Sequence, residues 1–81
     1  MNIMEDELYN FAIKELWEFM RRLNVRNECP QFNIKDCREL FQQKFNISND
    51  AFDCAYDVLK NVGAFKEIKR KNNVVTFKLL R

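Results

Sequence analysis

The sequence predicts an α+β domain, three helices followed by a β-hairpin, and three observations carry that prediction. Apolar residues recur at spacings of three and four as far as Val62, and a period of two takes over after Gly63. The chain holds one Gly and one Pro, too few turn formers for a many-stranded β-sandwich.

The first helix is expected over Ile3 to Asn24. Leu8, Phe11, Ala12, Leu16, Phe19, Met20 and Leu23 form its apolar stripe, widened by Ile13 and Trp17. Glu5, Asp6 and Glu7 in the first turns and Arg21 and Arg22 in the last suit the helix dipole. Val25 to Phe32 reads as a connector. Pro30 turns Cys29 away from helical angles, which leaves room for one or two extended residues.

Asn33 caps a second helix, with Asp36 at its third position and Phe32 placed to pack on Cys37. Ile34, Cys37, Leu40, Phe41 and Phe45 are its expected inner face, and it stops near Asn46. Ile47 and Ser48 make a tight connection, and Ser48 or Asn49 caps a third helix. That helix turns Ala51, Phe52, Ala55, Val58, Leu59 and Val62 inward. Gly63, just past its last turn, has the place of a left-handed terminator. Ala64–Arg70 and Val74–Leu80 alternate as strands around a turn of Lys71, Asn72 and Asn73.

This order, with NIKDCRELFQQKF, NIS, NDAFDCAYDVLKNVG and AFKEIKRKNNVVTFKLL as its parts, resembles the winged-helix superfamily of helix-turn-helix domains over about Leu8 to Leu80. QFNIKDCRELF, ISNDAFDCAYDVLKNVGAF and NNVVTFKLL also resemble the rhythm of DEP-type winged helices. The stretch from Val25 to Phe32 is too short for the arm-like hairpin usual in them.

An 81-residue chain makes one domain, taken as residues 1–81, and buries about 60–65% of its unfolded surface. Its hydrophobic fraction of 47% is enough for a core despite 32% charged residues. The three cysteines fit no zinc ribbon and His is absent, so no metal or other cofactor is expected. The acidic start MNIMEDE is unlike a secretory signal and no apolar run could span a bilayer. Both point to an intracellular protein, nuclear or cytoplasmic.

No catalysis is expected, and no small-molecule substrate. Ser48, the single serine, is explained as a cap, and one Gly builds no phosphate loop. Cys37 and Cys54 are placed on inner helix faces, and Cys29, near Arg26 and Glu28, is the exposed thiol without a base.

Charge is sorted along the chain. The net charge is +2, yet residues 61–81 carry six bases against one acid, whereas residues 1–20 carry five acids against one base. Winged-helix proteins that bind DNA usually lay the third helix in the major groove. Here its outward residues are Asn49, Asp50, Asp53, Asp57, Lys60 and Asn61, with Tyr56 partly exposed, a set that suits a polyanion badly. The aspartates read as a solvated face or as a dock for a basic protein. Lys66, Lys69, Arg70 and Lys71 crowd the hairpin, with Lys78 on the return strand and Arg21, Arg22 and Arg26 as a candidate extension. They read as phosphate contacts, as contacts to an anionic membrane surface, which the DEP resemblance implies, or as charges that discourage strand pairing.

The sequence therefore ranks first a non-enzymatic module, a piece of a larger regulatory protein, that docks a protein partner or a copy of itself through Tyr9, Trp17, Asp50, Asp53 and Asp57. Nucleic-acid binding through the hairpin and the basic end of the first helix ranks second. Gly63→Val is expected to lower the thermal midpoint by several degrees, a cost of about 1–2 kcal/mol, because a β-branched residue resists positive φ. An unchanged midpoint would place the helix end elsewhere.

Overall fold

The computed structural model describes the chain from Ile3 to Arg81, with side chains from Glu7 onward. Met1 and Asn2 lie outside the described residues, and the first-turn charges expected of Glu5 and Asp6 lie outside the described side chains. The described residues form three helices and three strands, in the order α1 (Ile3–Asn24), β1 (Gln31–Asn33), α2 (Ile34–Phe45), α3 (Asn49–Asn61), β2 (Phe65–Lys71) and β3 (Val74–Leu79). The layout is α+β, as the periodicity predicts, and is consistent with the winged-helix-like order of elements that the resemblance implies. No helix among the described residues is long and apolar enough to cross a membrane.

Helix α1 buries Ala12, Leu16 and Met20 completely, and packs Leu8, Tyr9, Ile13, Trp17, Phe19 and Leu23 partly against the same core. Its principal neighbour is α3. Phe11 departs from the expected stripe: it is 39% exposed, with its ring edge-on to Phe45.

The Asn33 side chain accepts a hydrogen bond from the Asp36 amide at 3.0 Å, which makes the expected N-cap of α2. Only Ile34, Cys37 and Phe41 of α2 are fully buried. Leu40 is 47% exposed, outside the narrow stripe with which this short helix meets β1 and α3. Asn46 ends the helix in the left-handed conformation at φ 57°, with its amide bonded to the Gln42 carbonyl at 3.0 Å. Ile47 then drops fully into the core, and the Ser48 hydroxyl caps α3 by accepting from the Ala51 amide at 3.2 Å.

Three expectations on α3 are corrected. Tyr56 is buried, not partly exposed, because its ring packs on Phe65. Cys54 lies on the exposed side, one position before the buried Ala55–Tyr56 pair. Val62 is half-exposed, since the helix closes at that residue and the chain turns off through Gly63. Gly63 has φ +78°, and a Cβ there would meet nothing within 4 Å, so backbone conformation and not space demands glycine.

The connector after α1 contributes the two extended residues expected of it, Gln31 and Phe32, to a third strand that Asn33 completes. Strand β1 pairs antiparallel with β3, Gln31 opposite Thr76 and Asn33 opposite Val74, so the sheet order is β1-β3-β2. Strands β2 and β3 pair in antiparallel register from Phe65 opposite Leu79 to Lys71 opposite Val74, with a bulge between Glu67 and Lys69. Each lies within one residue of its expected bounds. Asn72, at φ 57°, begins the two-residue turn. The turn does not project freely: the Ile34 amide at the start of α2 donates to the Asn73 carbonyl at 2.8 Å.

All eight phenylalanines belong to one edge-to-face network. It runs from Phe11 through Phe45, Phe41 and Phe19 to Phe32, then through Phe77 and Phe65 to Tyr56, with Phe52 joined at Phe41. Centroid separations lie between 5.1 and 6.0 Å. Phe32 is the link between the helical rings and the sheet, touching Phe19 on one side and Phe77 on the other. Phe32→Ala should cost about 3–5 kcal/mol, as removal of a buried aromatic does. Phe11→Ala, at the exposed end, should cost about 1 kcal/mol. Denaturant titration of both variants checks the order, and equal costs would show that Phe32 does not join the two halves.

Candidate functional site

Strand pairing and the alternation of side chains sort the sheet into two faces. The inner face, against the helices, carries Phe32, Phe65, Phe77, Val75 and Leu79, together with Glu67 and Arg70. The outer face carries Lys66 opposite Lys78, Lys69 and Gln31 flanking Thr76, and Lys71 opposite Val74. Gln31, Lys69, Lys71, Asn72, Val74 and Thr76 line one shallow surface cleft.

Four of the five hairpin cations picked out by charge alone therefore share one open face: Lys66, Lys69, Lys71 and Lys78, all exposed. None of them makes an ion pair among the described residues. The face has no carboxylate, because the single acid of the three strands, Glu67, points inward. Lys66 stands directly opposite Lys78, and like charges so placed, with Cβ atoms about 5 Å apart, repel one another.

Arg70 belongs elsewhere. Its guanidinium donates to Glu67 Oε1 at 2.7 Å and lies 5.7 Å from the centre of the Tyr56 ring. The Tyr56 hydroxyl donates to the same carboxylate oxygen at 2.9 Å, and Lys60 Nζ lies 3.4 Å from the other. The cluster ties α3 to β2. Burial alone would raise the Glu67 carboxyl, but hydrogen bonds from Arg70 and Tyr56 and the charges of Arg70 and Lys60 outweigh it and hold the group below its ordinary range. Burial, reinforced by the Glu67 hydrogen bond, pushes the Tyr56 phenol up to about 12. Glu67 faces inward by alternation from Phe65, and the bulge after it turns Arg70 to the same face, where its guanidinium meets the Glu67 carboxylate, and leaves Lys69 on the outer one.

The remaining candidates are scattered. Arg21 and Arg22 line a separate surface hollow with Glu18 and Val25, and Arg22 pairs with Glu18 at 3.6 Å. No hydrogen bond or ion pair among the described residues joins Arg21, Arg22 or Arg26 to the sheet. Tyr9 and Trp17 are partly buried against the core. Asp50, Asp53 and Asp57 are exposed on α3, and Asp53 is held by Arg38 of α2, whose Nη2 lies 2.9 Å from Oδ1. Burial raises the Cys37 thiol to about 12, which suits an inert core group. Among the described residues no group of three or more His, Cys, Asp or Glu could hold a metal ion.

The inward Glu67–Arg70 pair was missed by sequence reasoning. Its one signal was the lone acid inside an otherwise basic hairpin. Comparison of the chain with protein-family models, with curated proteins and with solved structures finds no match.

Because the folded pKa of Glu67 is depressed, its contribution to stability is full above the ordinary carboxyl pKa and is lost as pH falls through the folded value. Glu67→Gln should cost about 1.5–3 kcal/mol at neutral pH, the range for a hydrogen bond to a charged group. The gap between wild type and variant should narrow as pH drops below about 4. Thermal unfolding between pH 3 and 7 reads both effects, and a gap that stays constant with pH would show that the carboxylate charge is not what holds the cluster.

Proposed function

We propose that this chain is a non-enzymatic binding module whose outer sheet face contacts the phosphate backbone of nucleic acid. The observation that carries this reading is the set of four uncompensated lysines, Lys66, Lys69, Lys71 and Lys78, on one carboxylate-free face. Protection of a sheet edge explains lysines on β2, which is an edge strand. It does not explain Lys78, which lies on the central strand β3, or its position opposite Lys66. A polyanion explains both, since phosphates relieve the repulsion between the two ammonium groups and release counterions on binding.

Docking of a protein partner, ranked first on sequence, now draws less support. Tyr9 and Trp17 are engaged with the core, and Asp53 with Arg38. What still favours it is a small apolar patch at the base of the hairpin. Half-exposed Val62 and Leu80 stand on segments that two hydrogen bonds hold together there, from the Arg81 side chain to the Val62 carbonyl at 3.0 Å and from the Leu80 amide to the Ala64 carbonyl at 3.0 Å.

Fluorescence anisotropy with labelled nucleic acid over a salt series tests the leading reading. The affinity should fall with salt, and the variant carrying Gln at Lys66, Lys69, Lys71 and Lys78 should lose it by about 100-fold or more at low salt. The same variant should be at least as stable as wild type, because Lys66→Gln relieves a cross-strand repulsion worth about 0.2–1 kcal/mol. Full binding by the four-fold variant would remove the sheet face from the interaction. Loss of a protein partner or of self-association on Val62→Asp or Leu80→Asp, with no nucleic-acid binding at low salt, would favour docking instead.

A further inference from the structure

We infer, resting on the reading above, that the ligand is a duplex gripped on its phosphates by the sheet alone, with α3 kept away from the groove. Three observations lead there independently of one another.

The first is what the outer face lacks. Proteins that bind single strands stack bases on exposed aromatic rings, and that stacking offsets the entropy lost in ordering a flexible strand. Here every ring of the sheet points inward: Phe32 of β1, Phe65 of β2 and Phe77 of β3 are buried and engaged with other rings. The outer face offers ammonium groups, Gln31, Thr76 and Val74, none of which is a stacking surface. A single strand would be ordered there with no compensating contact, whereas a duplex arrives already rigid with its phosphates in two rows.

The second is rigidity. The hairpin turn is bonded to the start of α2 by the Ile34 amide and the Asn73 carbonyl, and β2 is fixed to α3 by the Tyr56–Glu67–Arg70 cluster. Along β2 the lysines from Lys66 to Lys71 lie opposite Lys78 to Val74, a length of about 13 Å at the rise of a strand. A fixed row of that length matches a rigid backbone better than a flexible one.

The third is the position of α3. It packs against the inner face of the sheet, through Tyr56 on Phe65, so its exposed aspartates lie on the other side of the sheet from the lysines. A duplex seated on the lysines meets the face of the sheet opposite α3, while Asp57 opens into a hollow with Glu67 and Arg70 on the inner side. A duplex with α3 in its groove would meet both Asp50 and Asp57. Lysine ammonium groups without a bidentate partner recognise charge and not sequence, so binding is indifferent to base order.

The test uses the whole chain against labelled duplex DNA, duplex RNA and single strands of equal length, with phosphatidylserine-containing vesicles as a further arm. Duplex should bind at least about 5-fold tighter than single strand and without preference among sequences. Four phosphate contacts predict a salt slope of about −3.6, a loss of roughly 150-fold between 50 and 200 mM salt. The double variant Asp50→Asn, Asp57→Asn should change duplex affinity by less than about 2-fold at 150 mM salt, where charges beyond a Debye length are screened.

Single strands bound as tightly as duplex would overturn this inference while leaving the lysine face as the nucleic-acid site. A gain of 5-fold or more from the double aspartate variant would also overturn it, by placing α3 against the duplex. Binding to vesicles alone, or to nothing at low salt, would overturn both this inference and the reading on which it rests.

Discussion

The aromatic network is the constraint on which the rest of the molecule depends. A chain of this size has little apolar surface to bury, and it spends its eight phenylalanines on a continuous series of edge-to-face contacts that touches every element. The consequence for the sheet is direct. With Phe32, Phe65 and Phe77 all drawn inward, the outer face is left to polar and charged side chains, and its chemistry follows from where the rings had to go. Strand β1 exists for the same reason: a three-residue strand with one buried side chain is anchored by Phe32 between Phe19 and Phe77.

A second, polar constraint fixes the hairpin to α3. Glu67 satisfies Tyr56, Arg70 and Lys60 together, so that a hydroxyl brought into the core keeps a partner. No buried side-chain polar atom among the described residues is left without one. The bulge next to Glu67 shifts the register, so that Lys66 pairs with Lys78 before it and Lys69 with Thr76 and Lys71 with Val74 after it, and all three lysines of β2 stay on the outer face. Packing and charge separation are thus the work of the same few residues.

The fold was largely legible from sequence because its signals are local. The Asn33 and Ser48 caps, the lone Gly63 and the change of period after it each act within a few residues of where they stand. What was not legible depends on distant partners. The strand Gln31–Asn33 carries one inward residue, and only its pairing with β3 defines it. Leu40 and Val62 looked inward by helical spacing, and lie exposed because no neighbour covers that part of α2 or the end of α3. Of the candidate site, the concentration of cations in the hairpin was plain. The separation of Arg70 from its four neighbours was not, since it depends on a bulge and on a tyrosine eleven residues from Glu67.

The sorting of charge has a meaning that neither surface shows alone. An interaction face selects its ligand by what it attracts, and the rest of the molecule selects by what it repels. On the reading proposed above, lysines on one side of the sheet would draw a polyanion from within the screening length of the surrounding salt. The aspartates of α3, on the other side, oppose the approach in which the helix would enter the groove. Pairing of Asp53 with Arg38 leaves Asp50 and Asp57 without an ion-pair partner among the described residues, so the helix face keeps its repulsion. The two charge sets act in the same sense, one favouring the sheet-on orientation and the other disfavouring its alternative. On the reading proposed above, a near-neutral chain would in this way favour one orientation on a phosphate backbone without a base-specific contact.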